Sequence, residues 1–149
     1  MSIAIDSIGV LLSLVLAAIA ALHAIWAAGS PWPATDRITL SRMAVGARKL
    51  SGMPGRGQTL AVALAVAIAA AWPLLWAGLI LMPVPQTVVW LGMWALAAVF
   101  LARGVAGYSR AFNSVFGEEP FATYNRRYYS PLCLLIGAAF VALILLARV

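Results

Sequence analysis

Residues 59–102 read TLAVALAVAIAAAWPLLWAGLILM, then PVPQ, then TVVWLGMWALAAVFLA. Two apolar runs therefore follow one another with only residues 83–86 between them. About 20 apolar residues are enough for a helix to cross the ~30 Å hydrocarbon core of a bilayer. Because so short a connection forces two helices to run antiparallel, this stretch predicts a helical hairpin within a membrane.

Two further apolar runs flank the hairpin and complete the predicted fold. Ser130 is expected to cap the last helix, and Pro131 suits a first helical turn, where no amide partner is needed. The sequence predicts an all-α polytopic membrane protein. It forms a single domain over residues 1–149, with four transmembrane helices in an antiparallel bundle, at about residues 3–28, 59–82, 87–107 and 131–147.

The composition supports a membrane location for most of the chain. Of its 149 residues, 64% are hydrophobic and 9% are charged, against about 25% charged in soluble domains. The mean hydropathy is +1.00. The first apolar run, residues 8–28, is longer than the apolar region of a signal peptide, so we expect a retained membrane helix.

The basic residues predict the orientation of the bundle. Lys and Arg number nine in the two long connections, residues 29–57 and 103–130, whereas Arg148 stands alone on the other side. Since positive loops remain in the cytoplasm, we expect a multi-pass protein of the bacterial inner membrane with both termini periplasmic. Because these charges lie between apolar runs and not on a folded polar domain, nucleic acid is not an expected partner.

Residues 35–50 mix apolar and basic side chains. They are compatible with a short amphipathic helix on the cytoplasmic leaflet, which would direct its basic residues toward lipid phosphates. They are equally compatible with an irregular loop that carries orienting charges. The sequence does not decide between the two.

The chain lacks the residues that several classes of membrane protein need. Cys133 is the only cysteine, which excludes an intrachain disulfide or a CxxC redox centre, and it is expected to be a small core residue. No charged residue lies in the centre of an apolar run, which argues against small proton-coupled exporters and retinal proteins. No metal site and no cofactor motif is predicted.

His23 is the only histidine and lies near the end of the first predicted helix, with Trp26 one turn later. Histidine can act as a general base or hydrogen-bond a ligand. Alternatively, His23 donates to a backbone carbonyl and Trp26 belongs to an interfacial aromatic belt.

The segment after the third helix is rich in tyrosine, arginine and glutamate. It is predicted to fold over the helix ends and present guanidinium and phenol groups to a polar head, or else to anchor the chain at the interface. The candidate residues are Arg103, Glu118, Glu119, Tyr124, Arg126, Tyr128 and Tyr129.

Trp72, Trp76 and Trp94 lie deeper in the hairpin. Trp72 and Trp76 share a helix face, and Pro73 between them is expected to kink the helix. The three indoles either line an apolar cavity or pack in the core.

Three motifs together resemble a bacterial family of small four-helix membrane proteins, a domain of unknown function. They are His23, Trp26, Gly29, Trp32 and Pro33 at the end of the first helix, Arg103 with Gly104, and the stretch RRYYSPLC at residues 126–133. Asn125 stands where this family often has an aspartate. The resemblance implies the fold and the membrane location.

These observations lead to a functional hypothesis. We expect a site at the cytoplasmic leaflet for a small lipophilic molecule with a polar head, in a binding protein or an enzyme of isomerase- or cyclase-like proton transfer. His23, Arg103 and Tyr128 would be catalytic, and Trp26, the deeper tryptophans and the Tyr/Arg/Glu segment would bind the ligand. The alternative is a transporter or an accessory subunit. Membrane lipids are expected partners, and association with a second copy is left open.

Overall fold

The computed structural model describes residues 3–47 and 53–147, and within these ranges the chain is helical, without strands. Its elements are α1 (Ile3–Ala27), α2 (Arg37–Ala44), α3 (Arg56–Trp76), α4 (Gln86–Ala106), α5 (Arg110–Val115), α6 (Phe121–Tyr124), a π-helical turn (Asn125–Tyr129) and α7 (Ser130–Leu146). Four segments of this described part are long and apolar enough to cross a membrane: Ile5–Ala27, Arg56–Trp76, Gln86–Ala106 and Phe121–Leu146. The predicted all-α, multi-pass membrane fold is confirmed.

The spans pack as two helix pairs. α1 lies mainly against α3 and α4 mainly against α7, whereas α1 and α4 pack far less closely with each other. Leu16, Met93 and Phe140 are fully buried in the shared core, and the Phe100 and Phe140 rings stack at 6.2 Å. We call the end of the bundle where α1 and α4 finish and α3 and α7 begin the basic end.

The second span differs from its predicted bounds of residues 59–82. It begins at Arg56 and ends at Trp76. Gly78 adopts a φ of +68°, a left-handed conformation that terminates helices and suits glycine. Leu79 N then donates to Leu74 O at 2.9 Å, which satisfies a carbonyl of the last turn.

The fourth helix, α7, begins at Ser130, close to the predicted start at about residue 131, but the predicted cap is wrong. Helical structure continues without a break from Phe121, through the π-helical turn, into α7. Ser130 does not cap a new helix, because its hydroxyl donates to Asn125 Oδ1 at 3.1 Å. Pro131 has no amide hydrogen, and its ring would clash with the carbonyl four residues earlier in a regular α-helix. The wider π-helical turn immediately before Pro131 leaves space for the proline ring and does not need its missing amide hydrogen.

Within residues 35–50, the chain forms the eight-residue helix α2. Asp36 caps it, accepting at Oδ1 from the amides of Ile38 (2.8 Å) and Thr39 (2.9 Å). The pKa of Asp36 is lowered from 3.8 to about 2, mainly by the hydrogen bond from the Thr39 hydroxyl and next by the one from the Thr39 amide. The helical alternative is therefore correct for Arg37–Ala44; residues 48–50 lie outside the described part of the chain.

Candidate functional site

A cavity of about 340 Å³ lies within the basic end of the bundle, between α1, α4 and α7. We call it the His23 cavity. α1 contributes Ile19, Leu22, His23 and Trp26; α4 contributes Phe100 and Arg103; α7 contributes Leu132, Cys133 and Ile136; and the connections contribute Pro33, Leu40, Met43, Ala44, Phe121 and Tyr129. Its wall is mainly apolar, and its ionisable side chains are His23, Arg103, Tyr129 and Cys133.

Helix α2 covers this cavity from the basic end. Leu40 is 1% exposed and inserts into the bundle. The Tyr129 hydroxyl donates to Met43 O at 3.1 Å, which ties α2 to the π-helical turn. Gly46 has a φ of +61°, and a Cβ there would overlap the Phe121 ring. Glycine at this position therefore lets the end of α2 approach the last span closely.

The hydrogen bonding of His23 fixes the role of each ring nitrogen. Nδ1 lies 2.8 Å from Ile19 O. Because a carbonyl oxygen only accepts hydrogen bonds, Nδ1 carries the hydrogen, and Nε2 of the neutral ring is left with a lone pair. The ring also packs against Trp26 at 5.0 Å between centroids. The Trp26 indole in turn donates to Trp32 O at 2.7 Å.

Arg103 places a cation at the cavity wall. Its Nη2 donates to the uncharged Asn125 Oδ1 at 3.0 Å, and its Cζ lies 4.6 Å from the centre of the Phe112 ring. Its Nη1 is buried without a hydrogen-bond partner in the described part of the chain. Buried donors without partners are rare in proteins, and those that occur require a specific explanation.

Asn125 holds this arrangement together. It is 1% exposed and accepts at Oδ1 from both Arg103 Nη2 (3.0 Å) and Ser130 Oγ (3.1 Å). Its Nδ2 donates to Gly107 O at 2.8 Å. One amide thus joins α4 to the last span. The sequence offered a partial signal for it, because Asn125 directly precedes the RRYYSPLC motif.

Several predicted site residues lie outside the His23 cavity. Tyr128 is 60% exposed, and its ring is tilted against that of Tyr124, with 6.2 Å between the ring centres. Arg126, Glu118 and Glu119 are exposed. The structure brings His23, Trp26, Arg103 and Tyr129 together at the cavity, whereas the other five residues of the predicted segment do not line it: Glu118, Glu119, Tyr124, Arg126 and Tyr128.

The three deep tryptophans pack at helix contacts and do not line the His23 cavity. Trp72 Nε1 donates to Val89 O and Trp76 Nε1 to Leu143 O, each at 3.1 Å. Trp94 packs against the buried core and meets Trp90 edge-on at 6.4 Å. Trp72 and Trp76 therefore link α3 to α4 and α7.

The sequence model of one protein family matches residues 16–140; it is described as a protein of unknown function, DUF3995. The chain belongs to this family. The predicted family resemblance is confirmed, and every residue that lines the His23 cavity falls within the DUF3995 segment. No curated protein and no solved structure matches the chain.

Within the DUF3995 segment, sequence reasoning missed several residues of the cavity. Cys133 was expected in the core, but it is half-buried and lines the cavity wall. Leu22, Met43 and Phe121 line it as well, and no polar chemistry marks them in the sequence.

Among residues 3–47 and 53–147, no group of three His, Cys, Asp or Glu side chains could hold a metal ion.

Proposed function

We propose that this protein binds a small lipophilic molecule with a polar, preferably acidic, head in the His23 cavity. The observation that carries the proposal is that one mainly apolar cavity at the end of a membrane bundle is lined by both His23 and Arg103. Ligand pockets combine an apolar wall with a few polar groups that fix orientation, and this cavity has that composition.

The volume limits the size of the ligand. Small-molecule pockets span about 300–1,000 Å³, and the His23 cavity, at about 340 Å³, lies at the small end of that range. A complete two-chain phospholipid exceeds it. The cavity therefore suits a compact ring system or a single short chain, and its deepest walls, Ile19, Phe100 and Ile136, would contact the apolar part.

The charge of Arg103 favours an acidic head. Its hydrogen-bond acceptor Asn125 is uncharged, and its Nη1 has no partner among the described residues. A cation that is partly removed from water without a carboxylate is unfavourable. An anionic group in the cavity would compensate for it, because the interaction between charges is stronger in a medium of low dielectric constant.

His23 could supply proton-transfer chemistry in such a complex. Nε2 of the neutral ring would accept a proton from the bound ligand and return it at a second position, so that an isomerisation leaves the histidine unchanged. Arg103 would stabilise the negative charge that develops on the ligand between the two transfers. The catalytic role expected for Tyr128 stays a prediction; Tyr129 is the tyrosine that lines the cavity.

The basic end is proposed to be cytoplasmic, in a bacterial inner membrane with both termini periplasmic. The support is the positive-inside rule, applied to the basic residues of the two long connections. Reporter domains that are active only in the cytoplasm should be inactive when fused to either terminus. Activity of a C-terminal fusion would show that the proposed orientation is wrong.

Native mass spectrometry of the purified protein tests the proposed binding. We expect a co-purifying lipophile that is lost in His23→Phe, which keeps a ring, and in Arg103→Gln. Arg126→Gln is the matched control, because Arg126 is exposed and lies outside the cavity. No ligand in any sample, together with a stable partner protein that all variants retain, would favour the accessory-subunit alternative.

A further inference from the structure

We propose that Arg37 and Arg56 form a second site, which binds the phosphate group of an anionic phospholipid beside Gly29. Neither arginine lines the His23 cavity. The inference therefore does not depend on the proposed function, and the two sites can be tested separately.

The two guanidinium groups come from different elements and converge on one point of the backbone. Gly29 follows α1 with a φ of +109°. A Cβ at this glycine would lie 3.1 Å from Arg56 Nη2 and 3.8 Å from Arg37 Nη1. Arg37 is the first residue of α2 and Arg56 the first residue of α3. Two nitrogen donors thus lie beside the backbone of Gly29. They are close enough to each other for the oxygens of one phosphate group to accept from both.

Among the described residues, no acidic side chain is hydrogen-bonded to either arginine. Of the four acidic side chains, Asp6 lies in the first turn of α1, at the opposite end of the bundle. Asp36 uses both carboxylate oxygens to cap α2, with Oδ2 accepting from Thr35 and Thr39 hydroxyls. The other two, Glu118 and Glu119, belong to the connection before α6. Two neighbouring positive charges repel one another, and a bound anion would relieve the repulsion.

The position of the pair favours a lipid as the source of the anion. Gly29 is the second residue after the apolar span Ile5–Ala27. Trp32 is 62% exposed, and tryptophans at the ends of spans lie at the depth of the lipid headgroups. Arg56 is exposed and Arg37 partly exposed, so both are accessible from that layer. Guanidinium groups bind phosphate oxygens with two donors, and basic pockets between membrane helices bind anionic headgroups.

The test measures phosphatidylglycerol bound to the purified full chain by native mass spectrometry in detergent. Phosphatidylcholine serves as the zwitterionic comparison. We expect the double variant Arg37→Gln/Arg56→Gln to weaken phosphatidylglycerol binding by about tenfold to thirtyfold. The matched control is Arg110→Gln/Arg127→Gln, which removes the same charge from exposed arginines of the other long connection. It should change binding by less than about twofold.

The outcomes separate a built site from general surface charge. An equal loss in both double variants, or no loss in either, would overturn the proposal. Inorganic phosphate in excess forms a further arm of the experiment. If phosphate binds in a manner that depends on Arg37 and Arg56 while phosphatidylglycerol is not retained, the assignment to a lipid is wrong and the site takes soluble phosphate.

Discussion

Arg103 Nη2 donates a 3.0 Å hydrogen bond to Asn125 Oδ1, which joins the end of α4 to the π-helical turn before α7. Ser130 Oγ donates to the same oxygen. Asn125 thereby orients a cation that has no carboxylate acceptor among the described residues, and leaves it available to the His23 cavity. An aspartate at this position would instead form an ion pair with Arg103, so the asparagine has a direct electrostatic consequence for the cavity.

Replacing Asn125 by leucine should destabilise the protein by about 2–4 kcal/mol, because three buried hydrogen-bonding groups lose their partner. Asn125→Asp should keep the bond to Arg103 but lose stability, since its carboxylate cannot donate to Gly107 O. The measurement is the free energy of unfolding in mixed micelles. Asn113→Leu is the control: Asn113 donates only a local bond to Ser109 O, and the change should cost less than about 1 kcal/mol. Equal losses at both positions would contradict the role given to Asn125.

Gly107 should not tolerate a side chain. A Cβ there would overlap Ser130 Oγ and lie 3.0 Å from Arg103 Nη1 and from Asn125 Nδ2. Gly107→Ala should therefore cost about 1–3 kcal/mol of stability and disturb Arg103 as well. Gly57 lies inside α3 with nothing within 4 Å of an added Cβ, so Gly57→Ala should be neutral or stabilising. The same unfolding assay compares the two, and an unaffected Gly107→Ala variant would contradict the close contact between Gly107 and Ser130.

The sequence determined the spans far better than their ends. The apolar runs were sufficient to place four helices, because a bilayer requires about 20 apolar residues per crossing. The end of α3 depends on the left-handed conformation of Gly78, and the start of the last span depends on how Pro131 is accommodated by a π-helical turn. Both depend on local backbone geometry that hydropathy does not report.

The part of the candidate site that lies at the helix ends could be predicted from the sequence. His23, Trp26 and Arg103 lie at the ends of spans that finish on the same side, so the topology alone brings them near one another. Trp72 and Trp76 share a helix face, as expected, but their partners on α4 and α7 decide that they form helix contacts. Cavity residues such as Leu22 and Cys133 depend on how the helices pair, and the pattern of hydropathy and residue spacing does not report that pairing.

Cys133 offers a built-in reporter of access to the His23 cavity. As the only cysteine, it can be labelled with a small methanethiosulfonate reagent without other changes. Tyr129→Phe removes the bond that ties α2 to the π-helical turn and should raise the labelling rate about 2- to 10-fold, the range that one such hydrogen bond supports. Tyr128→Phe is the control, because Tyr128 is exposed. A rate that is unchanged in Tyr129→Phe would show that α2 does not control access.

The stability of helix α2 should depend on pH, because the Asp36 carboxylate caps the helix. Its folded pKa of about 2 lies below the usual 3.8, so its stabilising contribution is present above about pH 3.8 and is lost as the pH falls through about 2. Hydrogen exchange of the α2 amides, corrected for the intrinsic rate, should therefore accelerate in this window. Asp36→Ala should show fast exchange already at neutral pH and no further change in that window. Protection that is equal in wild type and variant would contradict the capping role.

The central claim is that the His23 cavity holds a small lipophilic ligand. A pair of substitutions on α1 tests it most directly: Leu22→Trp fills the cavity, whereas Leu11→Trp adds the same side chain to a residue that is 65% exposed and lies outside the cavity. Native mass spectrometry with extraction of bound small molecules should find the same ligand in wild type and Leu11→Trp, and should find it lost from Leu22→Trp. A ligand retained equally in all three, or absent from all three, would contradict the account.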